Sequence, residues 1–196
     1  MIMSTKIEIW TQQSKKVKDL LVKQQRLTVK KSYIEQKYGS EAKIFLTAYN
    51  FFVKEAKKIV EKPKDAEYPF WAAADPQTAL SGGKGVLIKL KVPQNKVVFF
   101  DKKKWNKILN LSYIADDQED LKKHKETLEK YGINDDSEII LSPHYPVLKN
   151  KIKKSWKKLF EGKNDGFNSE KKGAAIWELR SEWVKEFVES NLNNFL

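Results

Sequence analysis

Most of the 26 acidic residues in this chain lie in polar stretches, where a solvated charge is the expected state, but Glu178 does not. It interrupts the apolar run Ala174-Ala175-Ile176-Trp177-Glu178-Leu179, whose composition predicts a buried strand. A carboxylate there either faces solvent paired with Arg180 on the same face, or sits in a cleft that controls its ionisation. Asp101 has a similar duality, as a helix cap or a site residue. His124 and His144 have no ligand-spaced neighbours, so no metal site is expected. The chain has no cysteine and no G-x-S-x-G elbow, which removes thiolate nucleophiles and serine-hydrolase chemistry.

Aromatic residues near polar ones form the second group. Trp10 stands beside Thr11 and close to Gln13, and Trp71 follows Tyr68 in the segment YPFW. An aromatic wall with hydroxyl and amide groups suits a nucleotide base or a nicotinamide ring, although core packing is the commoner role of such rings. Trp105, Trp156 and Trp183 have core-like spacing. The cluster Gly82-Gly83-x-Gly85 is followed by a strand pattern and lacks the Gly-Lys-Ser/Thr that opens a phosphate-binding helix, so it reads as a plain loop.

A net charge of +12 creates a field that attracts polyanions. Lys151, Lys153, Lys154, Lys157 and Lys158 make the densest local patch, and the basic segment 15–31 adds to it. Only Arg26 and Arg180 are arginines. Lysines act as point charges without the planar fork that reads guanine, so phosphate contact fits better than reading of a DNA sequence. A lysine-rich surface serving solubility alone remains the alternative.

These residues need elements to position them. Residues 6–10 alternate as a strand, and Thr11 to Ser14 can cap the helix that follows, where Val17, Leu20 and Leu21 recur. Residues 26–40 give no clear pattern. From Glu41 to Glu61, an apolar stripe including Phe45, Tyr49, Phe52 and Ala56 predicts a helix ended by Pro63. Residues 68–73 read as a short strand or extended aromatic corner, 75–84 as a loop suited to a lid, and 85–101 as a hairpin or a tight two-strand connection turning at Pro93-Gln94-Asn95. Asp101 caps a helix carrying Trp105 and Ile108, and 117–130 forms a helix within a polar surface insertion at 115–136. Leu148, Ile152, Trp156 and Leu159 predict a helix over 145–160, followed by a polar loop at 162–172.

Length and pattern predict a single α+β domain over 1–196, a mostly antiparallel sheet of short strands with flanking amphipathic helices. No segment reads as a signal peptide or membrane span, so a cytoplasmic location is expected.

The ordered pieces IWTQQ, YPFWA, LIKLKVPQNKVVFFD with its KKW, SWKKLF and AAIWELRSEWV resemble the bacterial domain of unknown function 3841 family over nearly the whole chain. Their order is also similar to that in ADP-ribosyltransferases of the DNA-modifying toxin branch. That second resemblance implies NAD as substrate, with Trp10, Thr11 and Gln13 on a first strand holding it, and Tyr68 and Trp71 walling the nicotinamide. It implies Glu178 as the catalytic carboxylate, a nucleic-acid acceptor captured by Lys151 to Lys158, and a neutralising antitoxin-type partner. The chain departs from the pattern where Ile176 replaces the usual Gln or Glu two residues before the catalytic position. A shifted alignment would place Ala175 there. The alternative is a non-catalytic nucleic-acid-binding or interaction module using the same lysines; a small-molecule enzyme acting on another nucleotide is a third reading.

Overall fold

The computed structural model describes residues 5–79, 85–161 and 171–189. Strand β1 (Lys6–Gln13) passes to helix α1 (Lys15–Gln24) through Ser14, whose hydroxyl accepts the Val17 N–H at 3.3 Å. Gln25 closes α1 in the left-handed region, and the chain continues through β2 (Arg26–Thr28) and α2 (Lys31–Tyr38) into α3 (Ala42–Ala56). Then come β3 (Phe70–Ala73), α4 (Pro76–Ala79), β4 (Val86–Pro93), β5 (Val97–Asp101) and α5 (Lys102–Leu109), which Asp101 caps through the Lys104 N–H. Helices α6 (Gln118–Lys130), α7 (Asp136–Leu141) and α8 (Pro146–Ser155) precede β6 (Lys172–Ile176), β7 (Glu178–Arg180) and β8 (Val184–Glu189).

Six strands form one antiparallel sheet in the order β5-β6-β3-β1-β4-β8, and β2 pairs with β7 in a separate ribbon. The fold is a single α+β domain. At its centre, β1 matches β4 along all eight of its residues but meets β3 at one register pair, Trp10 with Ala73. Two three-stranded halves are thus hinged at β1–β3.

Of the two forms predicted for 85–101, the tight two-strand connection is present, with Gln94–Lys96 joining β4 to β5, but the strands do not pair as a hairpin. Strand β4 lies between β1 and β8, whereas β5 is the opposite edge strand beside β6. Pro93 shares a row with Lys6, and Val97 shares one with Ile176 and Phe70. In a flat sheet those rows would be about 23 Å apart along the strands and about 19 Å across them. The link Gln94–Lys96 reaches at most about 14 Å. The halves must therefore curl toward each other, which puts Val92 and Val97 in one core with Ile9, Phe70, Ile176, Leu179 and Trp183.

Other expectations shift for physical reasons. The stripe read as a helix from Glu41 to Glu61 is helical from Ala42, and the α-helix ends at Ala56; Val60 turns inward and gives its carbonyl to the Trp177 indole at 3.1 Å. Ala174 to Leu179 is not one strand. It breaks at Trp177, whose ring enters the second core, so Ile176 ends the large sheet and Glu178 begins the ribbon. The unassigned stretch 26–40 holds β2 and α2. The helix read over 145–160 tightens to a 3-10 turn from Trp156 to Phe160. The lid reading at 75–84 covers α4, with 80–84 outside the described residues, as are residues 162–170 of the polar loop. The insertion at 115–136 is more than surface: α6 buries His124 and Leu128.

That second core gathers Phe52, Trp71, Phe100 and Trp105 between α3, α5 and the β5-β6-β3 half. Edge-to-face rings such as Phe52 on Phe100, 5.4 Å between centroids at 86°, give contacts of about 0.5–1.5 kcal/mol beyond area burial. No described helix is long and apolar enough to cross a membrane.

Candidate functional site

Three groups of residues carry the chemistry expected from the sequence. The first is built on the ribbon. Its register pairs Arg26 with Arg180, Leu27 with Leu179 and Thr28 with Glu178. The leucines face the core, so the two arginines face the other way, directly opposite each other. Like charges in that position repel. Glu178 resolves the conflict: its Oε2 accepts from Arg26 Nε at 2.5 Å and its Oε1 from Arg180 Nε at 2.8 Å. Asp65 takes the rest of the Arg26 fork, at 2.6 and 2.9 Å.

Glu178 is 6% exposed. Burial acts to raise its pKa, but the hydrogen bonds from Arg180 and Arg26 outweigh it and hold the carboxyl below its ordinary value. The Arg26 fork lowers Asp65 to about 2. The Glu178–Arg180 pairing at i, i+2 was legible in the sequence. Arg26 and Asp65 were not, although Arg26 carried one signal: it and Arg180 are the two arginines in a chain that otherwise uses lysine, and a buried carboxylate favours the guanidinium fork.

The second group lies at the β1–β3 hinge. Thr11 is fully buried, and its hydroxyl donates to the Trp71 carbonyl at 2.7 Å while accepting from Gln13 Nε2 at 2.8 Å. A side chain thus continues the ladder where the backbones part. Alternation puts Thr11 and Gln13 on the face of Ile9, and Trp10 on the opposite face, where the Lys89 ammonium stands 5.4 Å from its ring. The Trp71 ring belongs to the aromatic core, 4.8 Å from Phe52 and 4.9 Å from Trp105. Tyr68 is buried and donates to Asn50 Oδ1 at 2.7 Å. The five residues are brought to neighbouring strands but divided between faces. Trp10 and Gln13 keep partial exposure, and Tyr68 and Trp71 also dock α3.

The third group is the lysine face of α8. Ser155 accepts the Ile114 N–H at 3.0 Å, the Trp156 indole donates to the Ser112 carbonyl at 2.8 Å, and the Lys158 ammonium donates to the Ile114 carbonyl at 2.9 Å. These bonds lay segment 112–114 along the helix. Between them is a cavity of about 440 Å³ lined by Tyr113, Val147, Asn150, Lys151, Lys154, Ser155 and Lys158. Lys151 sits 5.0 Å above the Tyr113 ring, and Lys158 also pairs with Asp116 at 2.5 Å. Lys153 and Lys157 are exposed but do not line the cavity. The Tyr113 ring stacks on buried His124, 4.1 Å between centroids, and the Nε2 of that histidine is 2.6 Å from Asp136 Oδ1. Burial and the bond to Asp120 push the Tyr113 hydroxyl up to about 12. Among the described residues no group of three His, Asp or Glu could hold a metal ion.

The family described as domain of unknown function (DUF3841) matches residues 8–185, from inside β1 into β8. The chain belongs to that family. No curated protein and no solved structure matches it. The DUF3841 match spans all three groups: the ribbon around Glu178, the hinge at Trp10 and Thr11, and the α8 lysines.

Proposed function

We propose that this DUF3841 protein transfers ADP-ribose from NAD to a nucleic acid. One observation carries the reading. The three segments that the transferase resemblance brings into play, β1, the strand after Tyr68, and the late strand leading to Glu178, are far apart in sequence yet adjacent in the sheet order β6-β3-β1.

In this reading NAD lies at the hinge on the Trp10 face of the sheet and takes the Trp10 ring, while Gln13, on the opposite face, holds the Thr11 hydroxyl in place. Tyr68 and Trp71, by filling the core beneath, hold β3 in place. Glu178 is the carboxylate. Its arginines keep it ionised and leave each oxygen a second lone pair, enough to accept a hydrogen bond from a ribose hydroxyl. The bond between nicotinamide and ribose breaks, and nicotinamide leaves neutral with the bonding pair. The carboxylate stabilises the oxocarbenium-like charge on the ribose. A nucleophilic atom of the nucleic acid then bonds to the ribose carbon and releases its proton. The α8 lysines raise the local concentration of that polyanion.

A second reading, nucleic-acid binding without catalysis, is favoured by the same arginine clamp, because both Glu178 oxygens already have partners that explain them structurally.

Incorporation of labelled NAD into DNA, RNA and protein separates the two. Transfer by the wild-type chain that is lost in Glu178→Gln, with folding and nucleic-acid binding retained, supports the transferase. Salt-sensitive binding with no transfer by either protein overturns it in favour of the binding module.

A further inference from the structure

The lysine face ends in exposed aromatic rings that no core packing explains. Tyr131, just past α6, is 58% exposed, and Tyr145, the N-cap of α8, is 37% exposed. Their rings meet edge to face at 5.9 Å, with the exposed His144 ring 6.3 Å from Tyr145. Val147, the second residue of α8, is 79% exposed. Tyr145 is held in the left-handed region at φ 58°, uncommon for a bulky residue, and its carbonyl accepts the Lys149 N–H at 2.9 Å. A hydrophobic pair on an exposed turn is not what solubility requires.

Tyr145 is the N-cap of the helix that carries the cation row. Val147, Asn150, Lys151, Lys154 and Lys158 follow one another at helical spacing along about 16 Å of one face. Between Pro146 and Phe160 the sequence has six lysines and no carboxylate. The Lys154 ammonium has no ion-pair or hydrogen-bond partner among the described residues.

We infer that this face takes a single-stranded nucleic acid, its phosphates along Lys151 and Lys154 and its bases against the Tyr131–Tyr145 ring pair. Charge complementarity selects a polyanion. The rings select among polyanions, because unpaired bases can stack on exposed aromatics, whereas a duplex hides its base faces and offers only phosphates and groove edges. Lysines without arginines give phosphate contact with little sequence preference. Tyr113, shielded by Lys151 and Lys158, closes the inner wall of the strip. The inference rests on the nucleic-acid half of the reading above and is independent of NAD.

Fluorescence anisotropy with labelled oligo-dT and oligo-U of ~12 nucleotides, within the ~4–16 nucleotide range of aromatic and basic platforms, tests it against a duplex of equal length. The single strands should bind more tightly. Tyr131→Ala should weaken them by about tenfold and leave duplex binding unchanged, while Tyr131→Phe retains affinity. Lys154→Gln should lower the slope of log affinity against log salt by about 0.7 between roughly 50 and 200 mM. Equal affinity for duplex, indifference to Tyr131→Ala, or displacement by polyglutamate as effectively as by unlabelled oligonucleotide would each overturn it. A chain that binds single strands through Tyr131 but transfers no ADP-ribose defeats only the transferase. Transfer to a strand whose binding ignores Tyr131 defeats only this inference.

Discussion

Arg26 Nε lies 2.5 Å from Glu178 Oε2, a contact between residues 152 positions apart that ties the second strand of the chain to the seventh. Without that carboxylate, Arg26 and Arg180 would face each other across the ribbon with only Asp65 on the first and the longer contact to Glu182, at 3.6 Å, on the second. Removing one partner of a buried ion pair is costly because the other is left unmatched. Glu178→Ala should destabilise the fold by about 2–3 kcal/mol, toward the lower end because the arginines reach solvent. Urea unfolding should show a lower midpoint at unchanged slope. Arg26→Lys should cost part of that, since one ammonium cannot serve Glu178 and both Asp65 oxygens together.

The same network predicts an acid response. Asp65 is depressed to about 2 and Glu178 is also lowered, so both bind fewer protons folded than unfolded at mildly acidic pH. Their stabilisation is fully present above the unfolded carboxyl values of about 4, and is lost as pH falls through the folded values. Melting temperature should therefore drop below about pH 4. Asp65→Asn should start lower and fall less over that range.

Thr11→Val tests the hinge. The change keeps shape but leaves the Trp71 carbonyl and the Gln13 amide without their hydroxyl partner. A loss of about 1–3 kcal/mol is expected in chemical denaturation. Hydrogen exchange should quicken in β3 more than in β4, because β1 keeps its full ladder with β4.

At Gly173 the Phe100 ring lies where a Cβ would stand. Gly173→Ala must displace a ring that also packs on Phe52, Trp71 and Trp105, so a cost of about 1–3 kcal/mol is expected. Phe100→Leu in that background should recover part of the stability if steric crowding is the cause. No recovery in the double variant would point elsewhere.

The sequence by itself determined the local elements, because a cap or an amphipathic stripe is set by residues within a few positions. Ser14 and Asp101 cap the helices that follow them, and the periods of Phe52 and Ile152 mark the buried faces of α3 and α8. The Glu178–Arg180 pair was legible for the same reason. Tertiary structure alone decided partners. It sent β4 and β5 to different places in the sheet although three residues join them, β4 pairing with all eight residues of β1 and β5 with all five of β6. It broke the run 174–179 at Trp177, because that ring fits the second core while Glu178 is drawn to Arg26. It also brought Tyr131 beside Tyr145. Pairing between distant segments depends on shape and charge matching across the assembled fold, and no window of neighbouring residues contains that information.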